Sequence, residues 1–420
     1  MTARRPTLAA LLAAAALAAP AAGQTPAATL ANPRMKAAFD SIRSWNTWTV
    51  EQQVQLTEIP APPFKEQVRA EEFRRRLLTL GFQNVRIDTE GNVIAERPGT
   101  GAGPVVVLSG HLDTVFPEGT DVRVRREGNR LVAPGIGDDS RGLAVLLAVA
   151  RAFHEVRLQT NGTIVFVGTV GEEGQGDLRG VRHLFAKEMA GKVDYFISVD
   201  GTGFGITHAA VGSNRYRVSY KGPGGHSYGA FGMPNPIHAL GRAIAAIGDL
   251  QVPSDPKTTF SVGTVTGGTS VNSIPFEGIM EIDMRSEEPS TLIELDGKVR
   301  AALAAALQAE KARWPRSTVP LTMVLDTIGI RPAGRQPLTA PIVQTALAAS
   351  KAMGIDSGAP EPSSTDSNIP MSLGIPSLTL DGGGRGGGSH ALEEWYEETP
   401  DAYKGPQWVA LIVATLAGVR

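Results

Sequence analysis

No cysteine occurs among the 420 residues. Disulfides are therefore excluded, and any bound metal must sit on imidazole and carboxylate ligands. An excess of either charge is also missing: 40 basic residues stand against 42 acidic ones, a formal charge of −2. With no basic block, nucleic acid is not an expected partner. Beyond the first residues, no stretch approaches the roughly 20 apolar residues that a membrane helix needs, so no membrane span is expected.

What the chain does have is 48 Gly, 29 Pro and 42% hydrophobic residues, enough for much loop and for substantial cores. Its length suits two domains. It opens with Arg4 and Arg5, then an Ala/Leu run from Leu8 to Ala19, then Ala21 and Gly23 spaced as a cleavage signal before Gln24. This reads as a secretory signal peptide over residues 1–23, which implies a secreted or periplasmic protein.

Short apolar runs at Val105–Leu108, Thr163–Val167, Tyr195–Val199 and Ser377–Leu380 read as buried strands of a mostly parallel sheet. Helical patterns lie between them, at Glu66–Leu80, Gly142–Phe153 and Pro341–Met353, the last with Gly354 as its C-cap. The alternation predicts an α/β domain with helices on both faces of the sheet. The middle of the chain reads differently, as strand 215–220, helix 236–247, strands 258–265 and 278–285, helix 291–313 and strand 319–325. That β-α-β-β-α-β order predicts an inserted ferredoxin-like α+β domain. The expected division is catalytic domain 24–213, inserted domain 214–326 and catalytic domain 327–420.

Ligands of open parallel sheets bind beyond the carboxyl ends of the strands. Each predicted strand here runs into metal-type side chains at that end: His111 and Asp113, Glu172 and Glu173, Asp200, and His390 through a glycine loop. Asp138 precedes the Gly142 helix. Alone, His111 would be an ordinary core histidine, Asp138-Asp139 a helix N-cap, and Glu172-Glu173 a solvated pair. Together at successive strand ends they suit zinc, because ions sharing a carboxylate lower the pKa of a water and polarise a carbonyl. Asp113 is better placed to hold the His111 ring N–H than to bind metal. Of the adjacent Glu172 and Glu173, one can ligate while the other acts as base.

Ser109-Gly110-His111-Leu112-Asp113, Gly137-Asp138-Asp139, Gly171-Glu172-Glu173-Gly174, Asp200 and His390 resemble the ordered motif set of the two-zinc peptidases. That superfamily includes peptidase T, bacterial glutamate carboxypeptidase, carnosinase-type dipeptidases, succinyl-diaminopimelate desuccinylase and aminoacylase. The resemblance implies two zinc ions per chain, with cobalt or manganese as substitutes. Asp138 would bridge them, His111 and Asp200 would complete one site, and Glu173 and His390 the other. Glu172 would be the general base and Asp113 the residue that orients His111. It further implies a homodimer through the inserted lid domain, with His226 in Gly224-Gly225-His226-Ser227 reaching into the partner subunit's active site to stabilise the oxyanion. Asn272, Arg285 and the Gly382–Gly388 loop would grip the substrate. Two departures stand out: Tyr228 is bulky where a small residue is usual, and Ser140-Arg141 replaces the more frequent Lys-Gly.

Three functions compete. The first is a di- or tripeptidase or exopeptidase on short peptides, the second a deacylase of N-acyl amino acids, and the third a catalytically dead domain kept for binding. The filled ligand positions disfavour the third. Within the resemblance, Asp at position 200 is typical of the peptidases, whereas the deacylating branches usually carry Glu.

Overall fold

The computed structural model describes residues 24–420; the expected leader over residues 1–23 lies outside them. Four parallel strands form the centre of a nine-stranded sheet, in the spatial order Thr163–Thr169, Val105–His111, Tyr195–Val199, Ser377–Leu380. Antiparallel strands extend both sides: Val93–Arg97 and Val85–Ile87 beyond Thr163–Thr169, and Ile206–Ala210 beyond Ser377–Leu380. The sheet is mixed at its edges and parallel where the site lies.

The central strands are apolar along their length because both faces are covered. Val106, Leu108, Ile197 and Val199 enter the larger core, with helices Ser140–Glu155, Pro341–Met353 and Lys404–Ala417. Their neighbours Val107, Val165 and Phe196 point the other way, onto Val181, Leu184 and Phe185. Helix Pro341–Met353 ends where expected, with Gly354 at φ 64°, the left-handed cap position that glycine takes without strain.

The chain leaves the large sheet at Ala210 and returns at Gly334, and these two residues pair across antiparallel strands. Between them lies a four-stranded antiparallel sheet in the order Thr258–Gly267, Glu277–Ser286, Gly212–Lys221, Thr322–Arg331. Helices Pro236–Gly248 and Pro289–Arg313 cover one face. This is the ferredoxin-like arrangement. Alternation sends Val218, Tyr220, Met280 and Ile282 into the core under those helices. It turns Arg215, Arg217, Glu281 and Asp283 outward, and Arg215, Glu281 and Asp283 help line the cleft over the catalytic domain. Among the described residues, no helix is long and apolar enough to cross a membrane.

Candidate active site

The strand Val105–His111 carries His111 to the carboxyl end of the sheet, where its ring is buried. Its Nε2 lies 2.9 Å from Asp138 Oδ1, and its Nδ1 lies 3.1 Å from the Asp113 carbonyl and 3.5 Å from Asp113 Oδ1. The Asp113 carboxylate also accepts the backbone N–H groups of Glu172 at 3.0 Å and Glu173 at 2.8 Å. One side chain therefore orients the imidazole and sets the loop that carries both glutamates. Asp138 Oδ2 lies 3.2 Å from His390 Nε2, which is 2.9 Å from Glu173 Oε1. His390 sits at φ 69°.

Two clusters result. His111, Asp138 and Asp200 can bring ligand atoms within 4.8 Å of one another, and so can Asp138, Glu173 and His390. Asp138 belongs to both. A third such group, His111 with Glu172 and Glu173, overlaps them. The electrostatics call for cations. Asp200 is half-buried, and its carboxylate accepts no hydrogen bond from the described residues; desolvation, then the Asp138 charge, holds its pKa well above the carboxylate range. The pKa of His390 is pushed up to about 10 by hydrogen bonds to Asp138 and Glu173. Burial lowers that of His111, but Asp113 and Asp138 outweigh it and hold it well above the usual value. Two imidazoles and three carboxylates converging at the floor of the cleft, His111 and Glu173 buried and His390 still exposed, fit a pair of divalent ions.

The two glutamates diverge. Glu173 turns to His390, whereas Glu172 is buried and accepts a 3.0 Å hydrogen bond from Arg331 Nη1 at its Oε1. Burial pushes the Glu172 pKa up to about 8, with Arg331 opposing and Glu173 adding to the rise. Arg331 ends the last lid strand, donates also to the Glu172 carbonyl and to Ser364, and was not among the sequence expectations. Glu394 was also missed. It accepts the N–H groups of Gly135, Gly137 and Asp138 at 2.8–2.9 Å and so fixes the turn that presents Asp138. No local pattern marks either residue, since their partners lie more than 150 positions away. Arg141, one of the noted departures, is a buried strut donating to the carbonyls of Gly382 and Ala402.

One expectation needs correction. The Gly382–Gly388 loop is not a row of free donors: Gly382 and Gly383 donate to the carbonyls of Gly201 and Gly203, and residues 385–387 pair as a strand with 395–397. Glycine there allows close backbone packing, since a methyl on Gly383 would lie 2.6 Å from the Ala402 carbonyl oxygen. His226 and Asn272 lie outside the lining of the cleft of their own chain. They are neighbours on the exposed surface of the lid, where Ser227 N–H donates to the Asn272 carbonyl at 2.9 Å. Arg285 does line the cleft, of about 830 Å³, with its Nε 2.8 Å from Asp283 Oδ2. The bulky Tyr228 is accommodated because it is 89% exposed.

The model of peptidase family M20/M25/M40 matches residues 107–415, a span that contains every one of these strand ends. The chain belongs to this family. It is 30% identical over 268 residues to a succinyl-diaminopimelate desuccinylase of Nitrosospira multiformis, covering 58% of this chain and 69% of that protein. Aminopeptidase PepT of Bacillus cereus superposes with a TM-score of 0.70 at 21% identity, over 88% of this chain and 98% of that one. Bacillus subtilis YXEP, described as a dinuclear metal-binding M20 peptidase, gives 0.64 at 19% identity over 89% and 99%. This M20 chain is a metallohydrolase, with the helix-flanked parallel sheet and lid of those structures.

Proposed function

We propose that the protein is a two-zinc hydrolase of amide bonds in short peptides, acting as a di- or tripeptidase or an exopeptidase. The observation that carries this reading is the pair of ligand clusters sharing Asp138 beside a buried carboxylate, Glu172, in a lidded cleft. His111 and Asp200 would hold one ion, Glu173 and His390 the other, and Asp138 both. Bound there, the ions would polarise the scissile carbonyl and lower the pKa of a water between them.

The chain supplies the rest. Glu172 keeps Oε1 on Arg331, which leaves Oε2 to take a proton from the attacking water. The same oxygen can then pass this proton to the leaving amine. Asp113 keeps His111 in one orientation and tautomer. Arg285 offers a planar guanidinium to the substrate's carboxylate or carbonyl, once released from Asp283.

A second reading, deacylation of N-acyl amino acids, draws support from the likeness to the desuccinylase. One panel separates the readings: metal-replete and chelated protein assayed on dipeptides, tripeptides and N-acyl amino acids. The expected result is dipeptide hydrolysis abolished by chelation and restored by zinc or cobalt. Fast N-acyl turnover with slow peptide turnover would favour the deacylase, and no amide hydrolysis at all would overturn both.

Assembly and address belong to the same proposal. The exposed His226 and Asn272 suit a homodimer in which each lid presents His226 to the other subunit's cleft. Mixing His226→Ala and Glu172→Ala subunits should then restore activity, because one site in each hybrid is intact. Hybrids that form without recovery would place His226 outside catalysis. Export is read from residues 1–23, and the mature chain should begin at Gln24 on terminal sequencing.

A further inference from the structure

The carboxylates around the cleft can be accounted for one at a time. Asp138, Glu173 and Asp200 belong to the two ligand clusters. Glu172 is paired with Arg331. On the lid, Asp283 is held by Arg215 and Arg285, and Glu281 by Arg217. Asp381 is left over. It lines the cleft, has no basic partner among the described residues, and falls in neither ligand cluster.

Its position is set by the sheet. Leu380 pairs with Val199 in parallel register, so the next residue on each strand, Asp381 and Asp200, emerges side by side at the carboxyl edge. Asp381 is largely buried by the Gly201–Gly205 segment. Methyl groups on Gly201, Gly203 or Gly205 would each come within 2.8–2.9 Å of its carboxylate oxygens. Its Oδ2 accepts the Gly205 N–H at 2.7 Å. Oδ1 accepts nothing, yet it is absent from the sealed, unsatisfied polar atoms of the interior. One oxygen is therefore anchored and the other is open to the cleft, beside a metal-ligand position.

An unpaired carboxylate, walled in and open on one side, costs desolvation unless a cation meets it. The site for a substrate's scissile carbonyl is the adjacent metal centre. A cation reached from there, at the spacing of neighbouring strands, is the α-ammonium on the acyl side of the cleaved bond. We infer that Asp381 is a specificity residue that receives the free α-ammonium group of the substrate, so that the preferred substrates are peptides with an unblocked amino terminus. This inference rests on the amide-hydrolase reading and refines it toward cleavage next to a free amino end.

The test compares alanyl-glycine with propionyl-glycine, which differ only in that amine, on the zinc-loaded wild type and on Asp381→Asn. Asparagine keeps the shape and an acceptor for Gly205 but loses the charge. Binding of a phosphinic dipeptide isostere and its des-amino counterpart is measured by calorimetry on the same proteins. Metal content and melting temperature establish that the variant is folded and loaded. The wild type is expected to favour the amine-bearing compound of each pair by about 10- to 100-fold, the scale of a charge-assisted hydrogen bond. In Asp381→Asn that ratio should fall at least tenfold in both kcat/KM and affinity. A wild type without amine preference overturns the inference whatever the variant does, and leaves amide hydrolysis standing. A variant that loses both compounds of a pair equally also overturns it, reducing Asp381 to a support for the glycine segment. Failure of the wild type to hydrolyse or bind any of the four would overturn the amide-hydrolase reading and this inference together.

Discussion

Glu172 and Glu173 are adjacent in sequence and opposite in environment, and that difference sets separate tasks. Glu173 meets His390, which also reaches the shared Asp138, whereas Glu172 is buried against Arg331. Glu172→Ala should retain both metals and its fold while losing about 10²- to 10⁴-fold in kcat, the contribution of a positioned base. Glu173→Ala should lose one metal ion instead. Metal analysis beside turnover decides the matter, and a Glu172→Ala enzyme with near-normal kcat would move the base elsewhere. Asp113→Ala should weaken metal affinity roughly 10- to 100-fold without removing a ligand, because it holds His111 and the backbone of both glutamates.

At the scale of the element, helix Ser140–Glu155 connects the metal centre to the core. Its N-cap, Asp139, accepts the N–H groups of Gly142 and His111, each at 2.9 Å. One carboxylate thus ties the helix start to the ligand-bearing strand. Gly142 lets the helix approach the strand Tyr195–Val199, since a methyl at that position would lie 2.2 Å from the Val199 carbonyl oxygen. Backbone cannot give way there as a flexible side chain could. Gly142→Ala should therefore destabilise the protein by about 1–3 kcal/mol or more, as overpacking does, and weaken metal binding by displacing Asp138 and Asp200. Denaturant melts with metal titration test this; an unchanged midpoint would show that the approach is not constrained.

For the whole molecule, the centre concentrates negative charge that only cations relieve. In the metal-free protein, burial pushes Glu172 to about 8, Glu394 to about 7 and Asp366 to about 6, and hydrogen bonds push His390 to about 10. A group whose pKa rises on folding stabilises the native state while protonated and loses that contribution as pH climbs through the folded value. For the glutamates the loss runs from their usual 4.5 up to about 7–8, and for His390 from 6.5 to about 10. Asp113 and Asp138 lie below the usual range, so their contribution is complete at neutral pH and does not offset the loss. The chelated protein should melt at lower temperature at pH 8 than at pH 6. Zinc should stabilise it more at pH 8, where the ligands are deprotonated. Scanning calorimetry of the chelated protein across that range would contradict this if melting temperature rose with pH. The lid is tied to the same centre: Arg331 holds Glu172, Arg215 reaches the Gly174 carbonyl, and Asp177 accepts the Ile330 N–H. Lid position and the setting of the base are therefore mechanically linked.

Much of this was legible along the chain because its signals are local. The central strands are apolar on consecutive residues since both faces are buried, and the lid strands alternate since one face is not. Metal-type residues fall at or beyond strand ends, where parallel sheets place their ligands, so His111, Glu172, Glu173, Asp200 and His390 stood out as candidates, Asp138 was marked by its place before a helix, and the division into ligands and base came from the family resemblance. Tertiary structure alone decided what depends on distant partners. Arg331 finds Glu172 across 159 positions, and Glu394 finds the Asp138 turn across 256. The glycine loop looked like open donors until packing showed its N–H groups spent on Gly201 and Gly203. His226 and Asn272 carry a family motif, and only the fold shows that they lie outside their own cleft. Periodicity reports which face of an element is buried, but a hydrogen bond between separate elements leaves no period in the sequence.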